Sequence, residues 1–246
     1  HNFDEIKKKN INILDTVQIE RAGDVIPYVT KIIKKNKQTK NDIKPPKFCP
    51  ICKSPTVREI DEAVLRCSNK YECHSQKLGQ IVHFIGKKGL NIDGFGEKQA
   101  KQFLDLKFIR NIEDIFYLEK YKLKIENLEG WGKTSFSNLI NSIKKSKRIS
   151  LDKFIYSLGI RYIGEVNSEI LASEFREVGS LIKSAKNFDN LKNIDGLGPK
   201  AISSIIDYFT NANNINSLNN LTKILEIIKI NTKTKNKFFS NKNIVF

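Results

Sequence analysis

The residues best suited to chemistry in this 246-residue chain are its four cysteines. Cys49 and Cys52 are separated by two residues, and Cys67 and Cys73, which follow after fourteen more, are separated by five. A tight turn lets the first two thiolates reach one metal ion, and the intervening residues are long enough to form a hairpin that returns the second pair. The spacing therefore predicts one Zn²⁺ bound by Cys49, Cys52, Cys67 and Cys73.

Other uses of these thiols are open but less favoured. Disulfides are the main alternative, and a cytosolic setting argues against them. His74 follows Cys73 and could replace one thiolate, although we favour a surface histidine. Because four sulfurs would fill a tetrahedral shell, no position is left for a reactive water, and we expect the zinc to be structural.

A second pattern is an apolar residue, a variable residue and Gly-x-Gly, followed by an amphipathic helix. The segments are Ile92–Gly96, Leu128–Gly132, Ile160–Gly164 and Ile194–Gly198. The first-glycine positions are 94, 130, 162 and 196, and Tyr162 takes that place in the third segment. One copy alone would more often be a helix C-cap and turn, but a repeat of this length indicates a supersecondary unit. We predict four helix-hairpin-helix motifs.

The chemistry of such a hairpin concerns phosphates. Glycine allows positive φ and a close approach of the backbone, while free N–H groups at the start of the next helix attract an anion. Backbone donors that contact phosphates do not distinguish one base from another, so we expect duplex DNA to be bound without sequence preference. The predicted DNA-binding residues are Gly94, Gly96, Lys98, Gly130, Gly132, Lys133, Gly164, Gly196, Gly198 and Lys200.

Three finer expectations attach to these hairpins. Positive φ is expected at the second glycines, Gly96, Gly132 and Gly198. The third hairpin is expected to bind least, because Tyr162 and Val166 replace a glycine and a lysine. The aromatic residues between glycines, Phe95 and Trp131, are expected to be hydrophobic plugs rather than base-stacking groups.

Composition is consistent with a polyanionic partner. The net charge is +16 and the pI is about 9.6, and lysines that neutralise phosphates release counterions. Codon bias in an AT-rich genome would also enrich lysine, so charge alone does not decide. We find no apolar run near the ~20 residues of a membrane span and no signal peptide, which favours a soluble cytosolic protein. The absence of methionine, even at position 1, suggests that the amino terminus is a cut.

The elements that would position these residues form a multidomain, mainly α-helical protein. Residues 1–30 look like short strands of a small β-barrel with a turn at Arg21–Asp24, and Lys31–Lys47, which ends in Pro45-Pro46, looks like a linker. Helical spacing of apolar residues predicts an almost wholly helical region over residues 78–230. We expect domains at 1–44 (partial barrel and linker), 45–77 (zinc module), 78–230 (tandem hairpins) and 231–246 (linker and one strand).

In this order, the barrel segment with Arg21–Pro27, the four cysteines and the four hairpins resemble the carboxy-terminal part of bacterial NAD-dependent DNA ligases. The resemblance implies a partial OB domain, a Cys₄ zinc finger, a helix-hairpin-helix domain and, at Phe238–Phe246, the first strand of a BRCT domain. The family usually has proline where this chain has His74, a departure that leaves the four sulfurs in place.

The resemblance also implies a function. The family adenylates a lysine of a Lys-x-Asp-Gly motif from NAD, passes AMP to the 5′-phosphate of a nick and joins the 3′-hydroxyl. No such motif occurs here, since Lys192–Gly196 has one residue too many. We therefore expect a cytoplasmic, nucleoid-associated monomer with no membrane partner, which clamps nicked duplex DNA and is inactive alone. NAD, Mg²⁺ and the missing adenylation domain would belong to the complete enzyme.

Two other functions are alternatives to this one. A free-standing hairpin and zinc DNA-binding protein without catalytic activity would have a complete barrel and a natural start. A hairpin-containing nuclease would need clustered carboxylates for magnesium, whereas Asp4-Glu5, Asp61-Glu62 and Glu113-Asp114 are scattered along the sequence.

Overall fold

The computed structural model of the protein describes residues 3–22, 26–36, 43–59 and 62–229. The chain divides into two compact units, His1–Gln76 and Lys77–Phe246. The first unit contains the barrel segment and the cysteines, and the second contains the four predicted hairpins.

The first unit begins with a short helix and a β-hairpin. Helix α1 (Phe3–Lys8) has two acidic residues in its first turn and two lysines in its last, an arrangement that complements the helix dipole. Strands β1 (Thr16–Ala22) and β2 (Ile26–Lys34) pair antiparallel, as expected of segments rich in valine, isoleucine and threonine.

Two sequence predictions need correction in this region. The prediction of strands throughout residues 1–30 is wrong at α1, whose charge pattern was a helix signal. The predicted linker Lys31–Lys47 is wrong at its beginning, because β2 continues to Lys34, which pairs with Thr16. Lysine-rich composition does not exclude pairing, since long charged side chains stay in water while the backbone bonds to its neighbour. Of the predicted turn, Gly23 and Asp24 lie outside the described residues.

A carboxylate joins the loop before β1 to the end of β2. The Asp15 side chain has no solvent exposure. It accepts hydrogen bonds from the N–H of Asn36 at 2.8 Å, from the N–H of Asn12 at 2.9 Å and from the ammonium of Lys35 at 3.1 Å. These donors, Asn36 foremost, favour the charged form and lower the pKa of the Asp15 carboxyl below its usual value.

The rest of the first unit is a second small hairpin. Strands β3 (Thr56–Arg58) and β4 (Leu65–Cys67) pair antiparallel, with Thr56 opposite Cys67. The guanidinium of Arg58 forms an ion pair with Asp4 in α1, which links the two parts of this unit.

The second unit is built almost entirely from helices. They are α2 (His74–Ile85, which begins before the unit boundary), α3 (Glu97–Asp105), a 3₁₀ helix (Ile112–Tyr121), α4 (Lys122–Glu126), α5 (Lys133–Ser146), α6 (Leu151–Ser157), α7 (Glu165–Phe175), α8 (Val178–Ser184), α9 (Phe188–Leu191), α10 (Pro199–Thr210) and α11 (Ala212–Ile224). The predicted helical region is confirmed for the described residues up to 229, apart from two short strands.

Those strands join the middle of the second unit to the last segment that the structure describes. Strand β5 (Arg148–Ser150) pairs in parallel with β6 (Glu226–Ile228). The N–H of Glu226 also donates to the carbonyl of Lys147 at 2.8 Å. The partners are far apart in the sequence, so no local pattern predicts the pairing.

The core of the second unit is made by the apolar faces of its helices. Its largest fully buried side chains include Phe84, Phe103, Phe154 and Phe209, and burial of each contributes about 1.5–3 kcal/mol. Helices from every part of the unit contribute to this core, and the hairpins lie between them. No helix in the described part of the chain is long and apolar enough to cross a membrane.

Candidate metal centre and nucleic-acid interface

The four cysteines meet in one cluster. Their Sγ atoms all lie within 4.8 Å of one another, with 4.0 Å between Cys49 and Cys73 and 3.4 Å between Cys52 and Cys67. All four thiols are free, and the separations are well above the ~2.05 Å of a disulfide. The structure therefore does not support the disulfide alternative.

A turn and a hairpin position these sulfurs. After Cys52 the chain reverses at Lys53, whose φ is +60° and whose N–H donates to the carbonyl of Cys49 at 3.0 Å. Strands β3 and β4 then bring Cys67 back, which confirms the predicted hairpin between the two cysteine pairs.

The electrostatics of the cluster favour a cation. Hydrogen bonds from the hydroxyl and backbone N–H of Ser54 lower the pKa of Cys52 to about 6. Burial raises the pKa of Cys67 to about 12, and the nearby sulfurs of Cys52 and Cys49 contribute to that rise. Adjacent thiolates repel each other unless a positive charge lies among them. A divalent cation would relieve this conflict.

The geometry fits zinc. In a tetrahedral site with Zn–S bonds of ~2.3 Å, sulfurs lie roughly 3.8 Å apart, and the two separations of 3.4 and 4.0 Å bracket that distance. The cluster therefore supports a structural zinc site, in which the metal would join the two cysteine pairs. His74 is not a member of the cluster and is half-buried rather than fully at the surface.

The four predicted hairpins share one turn geometry. In each, the carbonyl of the leading apolar residue accepts from the N–H three residues later, at 3.0 to 3.2 Å. The third residue of the turn has positive φ: +75° at Gly94, +78° at Gly130, +61° at Tyr162 and +88° at Gly196. This combination defines a type II turn. Tyr162 thus adopts the conformation of the glycine that it replaces.

The second glycines do not have the positive φ that was predicted for them. Each is the extended N-cap of the following helix, with φ of −93° at Gly96, −168° at Gly132, −89° at Gly164 and −76° at Gly198. A Cβ at the last three would meet nothing within 4 Å. Backbone strain therefore does not explain why these positions are glycine. The feature that they offer is open space beside the backbone at the start of the helix.

The hairpin helices begin without a side-chain cap. None of α3, α5, α7 or α10 has a capping hydrogen bond from its N-cap side chain, because glycine carries no such group. By contrast, the Asn211 side chain caps α11 by accepting from two backbone N–H groups. Uncapped N–H groups at a helix start can bind an anion.

Sequence analysis missed two side chains that shape these helix starts. Gln99 Oε1 accepts from the N–H of Gly96 at 3.2 Å, and Ser135 Oγ accepts from the N–H of Gly132 at 2.9 Å. A hydrogen-bonding residue three positions after an N-cap was the available signal. In both hairpins the N-cap N–H is occupied, so the N–H groups left for a ligand are those of the first helical turn.

The predicted lysines are placed to add charge. Lys98, Lys133 and Lys200 are exposed, and none forms an ion pair with another described residue. The third hairpin differs, since Val166 is 69% exposed and Glu165 pairs with Lys88 at 2.5 Å. Its backbone geometry is intact, and its first helical residue is a glutamate, as Glu97 is in the first hairpin.

The aromatic residues between the glycines serve as plugs. Phe95 is buried and its ring lies 5.6 Å from that of Phe103. Trp131 is half-buried, lies 5.0 Å from the same ring and donates from Nε1 to Gln102 at 2.9 Å. These contacts agree with the predicted plug role and join the first two hairpins.

Among the described residues, the four cysteines are the one group of metal-ligating side chains found close enough together to bind an ion. No carboxylate cluster of the kind that the nuclease hypothesis requires occurs among them.

Comparisons with known proteins agree with the order of these parts. Residues 1–41 match the NAD-dependent DNA ligase OB-fold domain, residues 48–74 the NAD-dependent DNA ligase C4 zinc finger domain, and residues 153–218 the helix-hairpin-helix motif. The chain is 44% identical over 221 residues to a DNA ligase of Pelagibacter ubique, covering 86% of the chain and 32% of that relative. It is 40% identical over 250 residues to a DNA ligase of Wolbachia pipientis from Culex pipiens, covering 100% of the chain and 38% of that relative. Over its whole length, the chain is similar to a part of NAD-dependent DNA ligases.

The chain spans about a third of the length of the curated relatives that it matches, 32% and 38% in the two cases above. The hairpin match includes the third and fourth hairpins. Phe238–Phe246, predicted as the first strand of a BRCT domain, lies outside the described residues.

Proposed function

We propose that this chain is the DNA-clamping part of an NAD-dependent DNA ligase, which joins 5′-phosphate and 3′-hydroxyl ends at nicks in duplex DNA during replication and repair. The main support is the repetition, within one unit, of four helix starts that lack a side-chain cap. The relatives named DNA ligase supply the reaction to which this clamp would belong.

Each hairpin would hold a phosphate through its backbone. A phosphate oxygen accepts hydrogen bonds from the N–H groups of the first helical turn, where the dipole is positive. The absence of a Cβ at the N-cap lets the phosphate approach. We propose these contacts for Gly94, Gly96, Gly130, Gly132, Gly164, Gly196 and Gly198, with charge from Lys98, Lys133 and Lys200.

Such a clamp would bind nicked duplex DNA without sequence preference. Backbone donors and lysines contact the sugar-phosphate chain, which is the same for every base pair. A ligase that repairs any nick needs this property. The net charge of +16 would add attraction over longer distances.

The chemistry of joining would be supplied elsewhere in the enzyme. The sequence contains no Lys-x-Asp-Gly motif, so in this proposal an adenylation domain, using NAD and Mg²⁺, carries the AMP. The zinc module at 45–77 would stiffen the connection between the OB segment at 1–44 and the hairpin domain at 78–230.

Binding of the 246-residue chain to a nicked duplex, measured by fluorescence anisotropy over a series of salt concentrations, tests the proposal. If the hairpins together neutralise roughly 3–6 phosphates, the log–log salt slope should be about −3 to −5. Duplexes of unrelated sequence should bind equally well. A slope near zero, or a strong preference for one sequence, would contradict the clamp.

A further inference from the structure

The first two hairpins meet at the one tryptophan of the chain. Trp131 lies between Gly130 and Gly132 in the second hairpin. Its ring lies 5.0 Å from the ring of Phe103, and its Nε1 donates a hydrogen bond to Oε1 of Gln102 at 2.9 Å. Both contacts are with residues of α3, the helix that follows the first hairpin.

Helix α3 is also joined to the first hairpin. The N–H of Gly96, its N-cap, donates to Oε1 of Gln99 at 3.2 Å. About one turn further along α3, the ring of Phe103 lies 5.6 Å from that of Phe95, which stands between the glycines of the first hairpin. One helix therefore contacts both hairpins, the first through Gln99 and Phe103 and the second through Gln102 and Phe103.

The hydrogen bond from Trp131 defines the position of the second hairpin more closely than ring packing does. Contact between two rings tolerates sliding and tilting, whereas a hydrogen bond weakens steeply when its distance or angle changes. Trp131 and Gln102 are both half-buried, so loss of the acceptor would leave a partly buried N–H without its partner. Since Trp131 is bonded directly to Gly132, the N-cap of α5, the hydrogen bond fixes where the start of α5 lies relative to α3.

We propose that Gln102 is a positioning residue, which holds the starts of α3 and α5 in the arrangement that binds two phosphates of one duplex. The proposal rests on the DNA clamp proposed above. Phosphates recur at a fixed spacing along DNA, so two sites that are already arranged bind the second phosphate at little cost in ordering. Gln102 itself contacts no DNA in this proposal and acts through Trp131 and the second hairpin.

The variant that tests this role is Gln102→Met. Methionine has a similar length and a similar preference for helix, but its thioether is only a weak acceptor. In NMR, the indole N–H of Trp131, the one such signal of the chain, should exchange with water faster in this variant. Binding to a nicked duplex, measured by anisotropy, should weaken by about 3- to 10-fold, which corresponds to the loss of one hydrogen bond. Trp131→Phe removes the same bond from the donor side and should also weaken binding.

Two glycine backgrounds separate positioning from a general structural effect. Alanine fits at Gly132 and at Gly198, since a Cβ there would meet nothing within 4 Å. When Gly132→Ala has removed the phosphate contact of the second hairpin, Gln102→Met should weaken binding further by less than about twofold. In a Gly198→Ala chain, which is changed in the fourth hairpin instead, the full effect of Gln102→Met should remain. Gln80→Met is the matched control and should leave affinity unchanged, because Gln80 is an exposed glutamine of another helix, α2.

Equal affinities of the Gln102→Met and unmodified chains would overturn the role of Gln102 without affecting the proposed clamp. An equal loss in both glycine backgrounds would also overturn it, because Gln102 would then act on the unit as a whole rather than through the second hairpin. So would unchanged exchange of the Trp131 indole N–H, since the hydrogen bond would not form in solution. If the unmodified chain does not bind the nicked duplex, the clamp itself is refuted, and the role of Gln102 is refuted with it.

Discussion

Replacing Gly198 by alanine separates phosphate binding from folding in the fourth hairpin. The position has an extended backbone, with φ of −76° and ψ of 162°, which alanine adopts freely. The added Cβ would meet no protein atom within 4 Å. Stability should therefore change by no more than about 0.5 kcal/mol.

The effect on DNA should be much larger. A Cβ in the open space beside the start of α10 would keep a phosphate from its backbone donors. Loss of about one hydrogen bond to a charged group costs roughly 1.5–3 kcal/mol, which corresponds to about 10- to 150-fold weaker binding. Removal of one phosphate contact should also make the log–log salt slope less steep by about 0.9.

Two other glycines supply matched controls. Gly179 lies in α8, outside the hairpins, with open space around its Cβ position, so Gly179→Ala should leave DNA affinity unchanged. At Gly196 the φ is +88° and a Cβ would lie 2.7 Å from Ile170 Cδ1. Gly196→Ala should therefore lower the free energy of unfolding by at least about 1–2 kcal/mol.

The assay is anisotropy with a nicked duplex at two salt concentrations, with thermal unfolding of each variant measured in parallel. Lys200→Ala is included because this exposed lysine would contact the same phosphate. Unchanged affinity for both Gly198→Ala and Lys200→Ala would refute the fourth hairpin as a phosphate clamp. Binding would then come from lysines spread over the surface.

Three further outcomes are expected. Metal analysis should find one zinc per chain, and a value well under one in protein prepared without chelator would contradict the zinc site. Cys52→Ser should unfold the zinc module locally, because structural zinc contributes an apparent ~10–16 kcal/mol against a total stability of ~5–15 kcal/mol. Incubation of these 246 residues with labelled NAD should give no covalent AMP adduct, since the required lysine motif does not occur in the sequence. An adduct would refute the assignment of these residues to a part of the enzyme without the adenylated lysine. Folding lowers the pKa of the Asp15 carboxyl, so the charged carboxylate contributes to stability above the unfolded-state pKa, and this contribution is lost as the pH falls through the folded-state pKa. In an NMR titration, the Asn36 amide signal should change with a midpoint below the usual aspartate pKa. A midpoint at or above that value would refute the lowered pKa.

The cysteine spacing was sufficient to predict the metal cluster. Two close pairs and an intervening hairpin are local features, and local features determine where the thiols of Cys49 and Cys73 meet. The hydrogen bond from Asn69 to Ser54 was not predicted, because it depends on how two turns face each other. The spacing of ligands carries no information on that orientation.

The glycine repeat predicted the hairpins but misassigned their glycines. A Gly-x-Gly sequence does not say which glycine has positive φ. The structure assigns it to the first, and Tyr162 shows that even this position tolerates a side chain at about 1–2 kcal/mol. The second glycine remains extended, so its role can be understood only from the space around it.

Long-range pairing was the least predictable part of the fold. The segments 148–150 and 226–228 are too short, and too little enriched in strand-forming residues, to predict strands from the sequence. They form strands because they pair with each other. The Lys88–Glu165 ion pair is similar, since its residues are far apart in sequence.

The β5–β6 pairing also sets an order of events during synthesis on the ribosome. Ile149 is buried in the finished unit, yet its partner strand emerges about 80 residues later, which at roughly 5–20 residues per second takes about 4 to 16 s. During that interval the first two hairpins can pack around Phe103 while the edge at Arg148–Ser150 is still open. The nascent chain thus leaves Ile149 and an unpaired strand edge without their partner until residue 228 leaves the exit tunnel, and an unpaired edge can bind to another chain during that period.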